Sequence, residues 1–141
     1  VSRRHTLAVQ ALIKTDPAVA AKTYVAEAPK DGNGKLPPAP FVVIYPGNGT
    51  DSTDRLSGPR IQQRPFFTLH IVGSSWDNTL QLTERLKGLF VVNGWGIPPA
   101  IPGELTSDLS WSEPIPIQVD RDVTPPVPYA VVELSFTAEP S

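Results

Sequence analysis

At 141 residues and 15.2 kDa, the chain has the length of one domain, and without cysteine it cannot rely on disulfides or thiolate-bound zinc. A net charge of −2 argues against a dedicated nucleic-acid binder. The charge is unevenly spread, with nine Lys/Arg against five Asp/Glu in residues 1–64 and three against nine in residues 65–141; this polarity suits head-to-tail packing of copies unless folding mixes the halves.

Ser2-Arg3-Arg4-His5-Thr6-Leu7 superficially matches an export signal, and Ala18-Val19-Ala20 matches a cleavage site. The apolar stretch between them is short, contains Gln10 and runs into Lys14-Thr15-Asp16-Pro17, so an amphipathic helix is the better reading. Its apolar face is expected at Leu7, Ala8, Ala11 and Leu12, widened by Val9 and Ile13. Asp16-Pro17 should end it. No segment approaches the ~20 apolar residues that span a membrane.

Lys22–Ala28 reads as a moderate strand, followed by a turn-rich loop with Asn33-Gly34 as its bend. Phe41–Tyr45 is a strand that stops at Pro46-Gly47-Asn48-Gly49. A polar run with Asp51, Asp54, Arg55 and Arg60 follows, and residues 46–64 read as a loop or arm insertion. Arg64–Gly73 alternates, with Phe67, Leu69 and Ile71 on one side and Phe66, Thr68, His70 and Val72 on the other.

Ser74 and Asp77 suggest a capped start for a second helix with Leu82, Leu86, Leu89 and Phe90 on one face and Leu80 at its margin. Asn93-Gly94 should stop it. Eight of the 17 prolines lie between Pro98 and Pro128, so residues 91–128 read as a second irregular or arm-like insertion, with a short strand around Leu105, Leu109 and Trp111 and no central place in a sheet. Tyr129–Ala138 is a strand burying Ala130, Val132, Leu134 and Phe136. The order predicts one α+β domain over residues 1–141: a single mainly antiparallel or mixed sheet, two helices on one face, and long projecting loops.

Chemistry is sparse. His5 and His70 are the two histidines, and no serine or carboxylate stands at a diagnostic spacing from His70. The polar run lacks the lysine of a phosphate-binding loop and the ligand pattern of a calcium loop. Asn48-Gly49-Thr50 is a glycosylation sequon that matters only in a secreted eukaryotic protein. Trp76, Trp95 and Trp111 are scattered, and Asp120-Arg121-Asp122 reads as a solvated turn. The expectation is a non-enzymatic protein with no catalytic residue, cofactor or metal, whose long loops are held by other proteins.

Several segments resemble the tail terminator proteins of long-tailed bacteriophages, particularly those of actinobacteria. The similarity rests on an N-terminal helix before FVVIYPGNG, on Tyr45-Pro46-Gly47-x-Gly49, and on Arg55-Leu56-Ser57-Gly58. The strand RPFFTLHIVG, the helix DNTLQLTERLKGLF and the closing strand YAVVELSFTA follow in the expected order. The first residue, Val1, suits a GUG start in a bacterial or phage gene as well as a trimmed chain. The resemblance implies a virion protein at the head–tail junction, assembled in the host cytoplasm. It would form a ring, usually of six copies, that caps the tail tube when polymerisation stops. Its partners would be the tail tube protein and the head-side connector or stopper, with DNA passing non-specifically through the hole and no membrane involved.

On that reading Asp51, Asp54, Arg55, Arg60 and Arg64 belong to a subunit-interface or lumen loop. The arginines would meet carboxylates or passing phosphates, and the aspartates would keep DNA from adhering. Phe66, Thr68 and His70 would make contacts from the sheet face. Another neck component (a head–tail adaptor or stopper) and a secreted binding module are the alternatives; a hydrolase using His70 is a third.

Overall fold

Alternating side chains in three long strands and two apolar helix stripes dictate a sheet with one helical face. The computed structural model describes residues 3–47, 50–53, 61–122 and 126–140. Helix α1 (Arg3–Ile13) precedes β1 (Thr23–Val25), β2 (Phe41–Pro46), β3 (Thr50–Thr53), β4 (Ile61–Arg64) and β5 (Phe66–Val72). Helix α2 (Trp76–Phe90) is followed by β6 (Val91–Val92), β7 (Trp95–Gly96), β8 (Glu104–Ser112), β9 (Gln118–Asp120) and β10 (Val127–Pro140). The protein is α+β, with a mainly antiparallel, mixed sheet and both helices packed on one face.

The pairing registers reduce these strands to a few continuous lines. β5 pairs with β10 from Tyr129↔Val72 to Ser135↔Phe66, and Ala138↔Gln63 carries β4 along the same edge in the same register. On the outer side β2 pairs with β5 and β3 with β4, out to Thr53↔Ile61. Residues 41–46 pair with 72–67 and residues 50–53 with 64–61, two antiparallel pairs that follow one another along the sheet, the second offset from the first by one residue. β8 and β9 share the opposite edge of β10, and β1 runs parallel to β2 at the far margin.

Two expected insertions therefore contain ordered strands. Residues 46–64, read as a loop, include β3 and β4, and residues 91–128 include β6 to β9. The polar composition of β3 and β4 hid them, because apolar periodicity marks only strands with a face in a core. The proline-based placement of residues 91–128 away from the sheet centre agrees with β8 and β9 lying at an edge.

The main core joins Val42 and Ile44 of β2, Phe67, Leu69 and Ile71 of β5, and five alternate residues of β10 from Ala130 to Ala138. The helices cover it with Val9 and Ile13 of α1 and Leu82, Leu86 and Phe90 of α2. In α1 the buried stripe is His5, Thr6, Val9 and Ile13. Leu7, expected in that face, is 41% exposed, and Ala11 is exposed too. Deeply buried His5 explains the rotation: its Nε2 lies 3.0 Å from Glu104 Oε1, which ties α1 to β8.

The cap of α2 is Ser75, one residue later than expected. Ser75 Oγ accepts the Asn78 N–H at 3.1 Å, while Asn78 Oδ1 accepts the Ser74 N–H at 3.0 Å. Each side chain satisfies a donor that the helix start leaves open. Asn93 and Gly94, at φ 52° and 81°, make the two-residue turn between β6 and β7 that such dipeptides favour.

A bulge changes the phase of β8. Ser135 pairs with Ser110 but Thr137 with Ser107, so β8 carries one residue more than β10 across that step. Asp108 absorbs the excess at φ 55°. Before the bulge Glu104 and Thr106 face inward; after it Leu109 and Trp111 do, packed against the core. Leu105, in the same strand, is 55% exposed. One extra residue inverts a two-residue period.

Folding also mixes the two charged halves. Arg4 and His5 meet Glu104 at 3.8 and 3.0 Å, and Arg64 meets Asp108 at 3.0 Å. In the Arg4–Glu104 and Arg64–Asp108 pairs a first-half cation meets a second-half acid, so part of the linear polarity is consumed inside the subunit.

Candidate interaction surface

The sheet face away from the helices carries Phe41, Val43 and Tyr45 of β2 and Phe66, Thr68, His70 and Val72 of β5, opposite Tyr129, Val131, Glu133 and Ser135 of β10. At one end the chain between β1 and β2 folds over this face. Ala28, Phe41, Val43 and Val72 form a second, smaller cluster there, with Tyr24, Leu36, Ala39, Val127 and Tyr129 packed around it. The Asp31–Gly34 turn shapes the cover: Asp31 Oδ1 accepts the N–H groups of Asn33 and Lys35, at 2.8 and 2.9 Å.

Where that cover ends, an open groove of about 620 Å³ crosses the sheet. Its aromatic floor is a diagonal row: Tyr45 and His70 have ring centroids 4.8 Å apart, and His70 and Tyr129 are 5.3 Å apart. Glu27, Asp120 and Asp122 stand around it with one base, Lys30. A neighbouring groove of about 860 Å³ shares Gly34, Leu36, Phe41, Asp122 and Val127 with the first and extends it toward Ser74 and Pro126.

Burial holds the His70 imidazole below its ordinary pKa, so it favours the neutral ring. Burial, and then the nearby Glu27 carboxylate, push the Tyr45 phenol up. The floor is therefore an uncharged π surface and the rim is acidic. Such a site suits a cationic planar group, above all a guanidinium, which can stack on rings and pair with carboxylates.

Phe66, Thr68 and His70 are brought together along this open face, each half-buried. Arg64 lies on the same side, within the sheet rather than in a loop. Its guanidinium donates to Asp108 Oδ2 at 3.0 Å, Ser135 Oγ at 3.2 Å and Thr137 Oγ1 at 3.4 Å, bracing β4 across β10 to the β8 bulge. Asp51 sits in β3 opposite Gln63. Asp54, Arg55 and Arg60 lie outside the described residues.

Tyr45, Tyr129, Glu27, Asp120 and Asp122 were not among the expected contact residues. Tyr45 and Tyr129 were legible in principle, since each stands beside His70 once neighbouring strands are placed in register. Asp120, expected in a solvated turn, closes β9 and accepts the Asp122 N–H at 3.0 Å, which shapes the acidic wall. Among the described residues no group of three or more His, Asp or Glu is placed to hold a metal ion, and no helix is long and apolar enough to cross a membrane. No protein-family model matches the chain, and no curated protein matches it significantly.

Proposed function

We propose that the protein is a structural ring component of a phage neck, a tail terminator that caps the tail tube and offers its other face to the head-side connector. The observation that carries the reading is the succession of two antiparallel pairs, β2 with β5 and then β3 with β4, along one side of the sheet. The helices pack chiefly on β1, β5, β6, β8 and β10, which leaves β3 and β4 as a polar strand pair away from the helices. A polar strand pair continued beyond the core suits contact with other polypeptides. The resemblance of residues 41–58 and of the strand–helix succession to tail terminators supports the same reading.

In this role the copies assemble head-to-tail through two different patches, as closed rings require. The tail tube protein and the connector or stopper bind opposite faces, and DNA passes through the hole without sequence recognition. Light scattering with negative-stain imaging, on the protein alone and with purified tail tubes, tests this directly. A discrete ring, free or formed on tube ends, is the expected result. A protein that stays monomeric and never binds tube ends overturns it.

A further inference from the structure

The two grooves of the open sheet face form one channel, since they share lining residues from Gly34 to Val127. The second alone, at about 860 Å³, approaches the upper size of a small-molecule pocket, about 1,000 Å³. The first continues it across the sheet, and neither is closed over. A shape of this kind fits an extended polypeptide better than a compact molecule.

The two ends differ in chemistry. At one end the Tyr45, His70 and Tyr129 rings form the floor, with Glu27 and Asp120 around it. At the other, Pro37, Pro38, Ala39 and Pro126 make an apolar wall, and Asp122 lines both. Along the whole channel Glu27, Asp31, Asp120 and Asp122 stand against Lys30 and Lys35. The surplus of carboxylates favours a cation and repels phosphates. Tyr45 is 37% exposed, so part of its ring is open to an occupant. A guanidinium can stack on a ring and pair with a carboxylate in its own plane, whereas an ammonium is a compact and strongly hydrated charge.

We propose that this channel is the receptor for an extended segment of a partner protein. One arginine of that segment stacks on the row of Tyr45, His70 and Tyr129 and pairs with Glu27 or Asp122. An apolar residue close to it in the segment packs against Pro37, Pro38 and Pro126. The inference goes beyond the ring reading and does not depend on it, since a monomer could bind such a segment equally well. It also gives the aromatic row and the acidic wall a shared purpose.

The test is an NMR titration of the labelled full chain with the capped peptide acetyl-Ala-Arg-Ala-Leu-Ala-amide, followed at the signals of Tyr45, His70 and Tyr129. Counterparts carrying lysine or citrulline in place of arginine separate planar cation from mere charge and from mere shape. The arginine peptide should bind about fivefold or more tightly than either counterpart. Glu27 and Asp122 are exposed, so Glu27→Gln/Asp122→Asn leaves the core untouched, and it should weaken arginine binding by about threefold or more. Tyr45→Leu keeps an apolar side chain on β2 and should erase the preference for arginine over lysine. Equal affinity for the arginine and lysine peptides overturns the inference. So does an absence of shifts at the three ring residues, or unchanged binding in Glu27→Gln/Asp122→Asn. Acetyl-arginine amide binding as tightly as the whole peptide overturns the extended occupant. Ring formation on tube ends is read separately, so failure here leaves the neck reading standing and failure there leaves the receptor standing.

Discussion

At the scale of single residues, Asp16 shows one carboxylate tying two elements. It lies at the end of α1, only 7% exposed, where Oδ1 accepts the Ala18 N–H at 2.9 Å and the Arg85 guanidinium at 2.5 Å. Charge-assisted bonds to a buried carboxylate are each worth more than neutral ones. Asp16→Ala should therefore lower unfolding stability by about 2 kcal/mol in urea titration. Arg85→Ala should cost less, because Arg85 is half exposed and Asp16 keeps the Ala18 bond. Equal losses from the two variants would show that the pair, not the local turn, carries the effect.

His70 gives a pH prediction with a definite sign. Its folded-state pKa is lowered by burial, so below the unfolded value of about 6.5 the unfolded chain takes up protons that the native state resists. Its contribution is full above that value and declines as pH falls from there toward the folded pKa. The groups that border it are Tyr45 of β2 and Tyr129 of β10, with Glu27, Lys30, Asp120 and Asp122 around the groove. The wild type should lose stability as pH falls below about 6.5, and His70→Gln should flatten that part of the curve. An unchanged slope in His70→Gln would assign the decline to other groups.

At the scale of elements, close approach fixes how α2 meets β5. A Cβ at Gly73 would lie 2.3 Å from Thr79 Oγ1 and 2.6 Å from the Thr79 backbone nitrogen. Backbone cannot yield as a side-chain tip can, so Gly73→Ala should destabilise by about 1–3 kcal/mol, measured as a lower denaturant midpoint with the same slope. The hairpin end should behave differently. Replacing residues 52–62 by Asn-Gly keeps the Asp51↔Gln63 and Thr50↔Arg64 pairs and the Arg64 brace. Stability should stay within about 1 kcal/mol, since shortening a connection changes closure entropy little. The proposed ring should fail to form, read by light scattering.

The elements differ in how plainly their residues announced them. β2, β5, β10 and α2 were legible because each carries a strict apolar period against one core, and the start of α2 was missed by a single residue between two adjacent serines. α1 was rotated because His5 and Thr6, polar in composition, are buried through contacts that local periodicity cannot show. The side-chain phase of β8 was hidden by a bulge at Asp108 that nothing near it in sequence advertises. β3 and β4 have no apolar face to read, so their pairing depends on continuing the register set by Phe41–Pro46 and Phe66–Val72. The groove was half legible: His70 and its strand-mates lie on one strand, but Tyr129, Asp120 and Asp122 join them only through long-range pairing.

At the scale of the whole molecule, the first-half bases Arg4 and Arg64 are already committed to Glu104 and Asp108 within the subunit. The net −2 of the chain leaves copies weakly repelling overall, so the proposed association must come from local complementarity. Exposed ion pairs contribute about 0–1 kcal/mol each and are screened by salt. Apolar burial and strand contacts are not screened in the same way, and they should supply most of the stability of the proposed ring. Raising salt from about 0.1 M to about 1 M shortens the screening length from about 10 Å to about 3 Å. The expected outcome is slower assembly and a lower oligomer fraction at high salt, with rings persisting once formed on tube ends, where further surface is buried. Sedimentation velocity across a salt series, with and without tubes, measures both. Rings that dissolve from tube ends at high salt would show that charge pairs, not buried surface, hold the copies together.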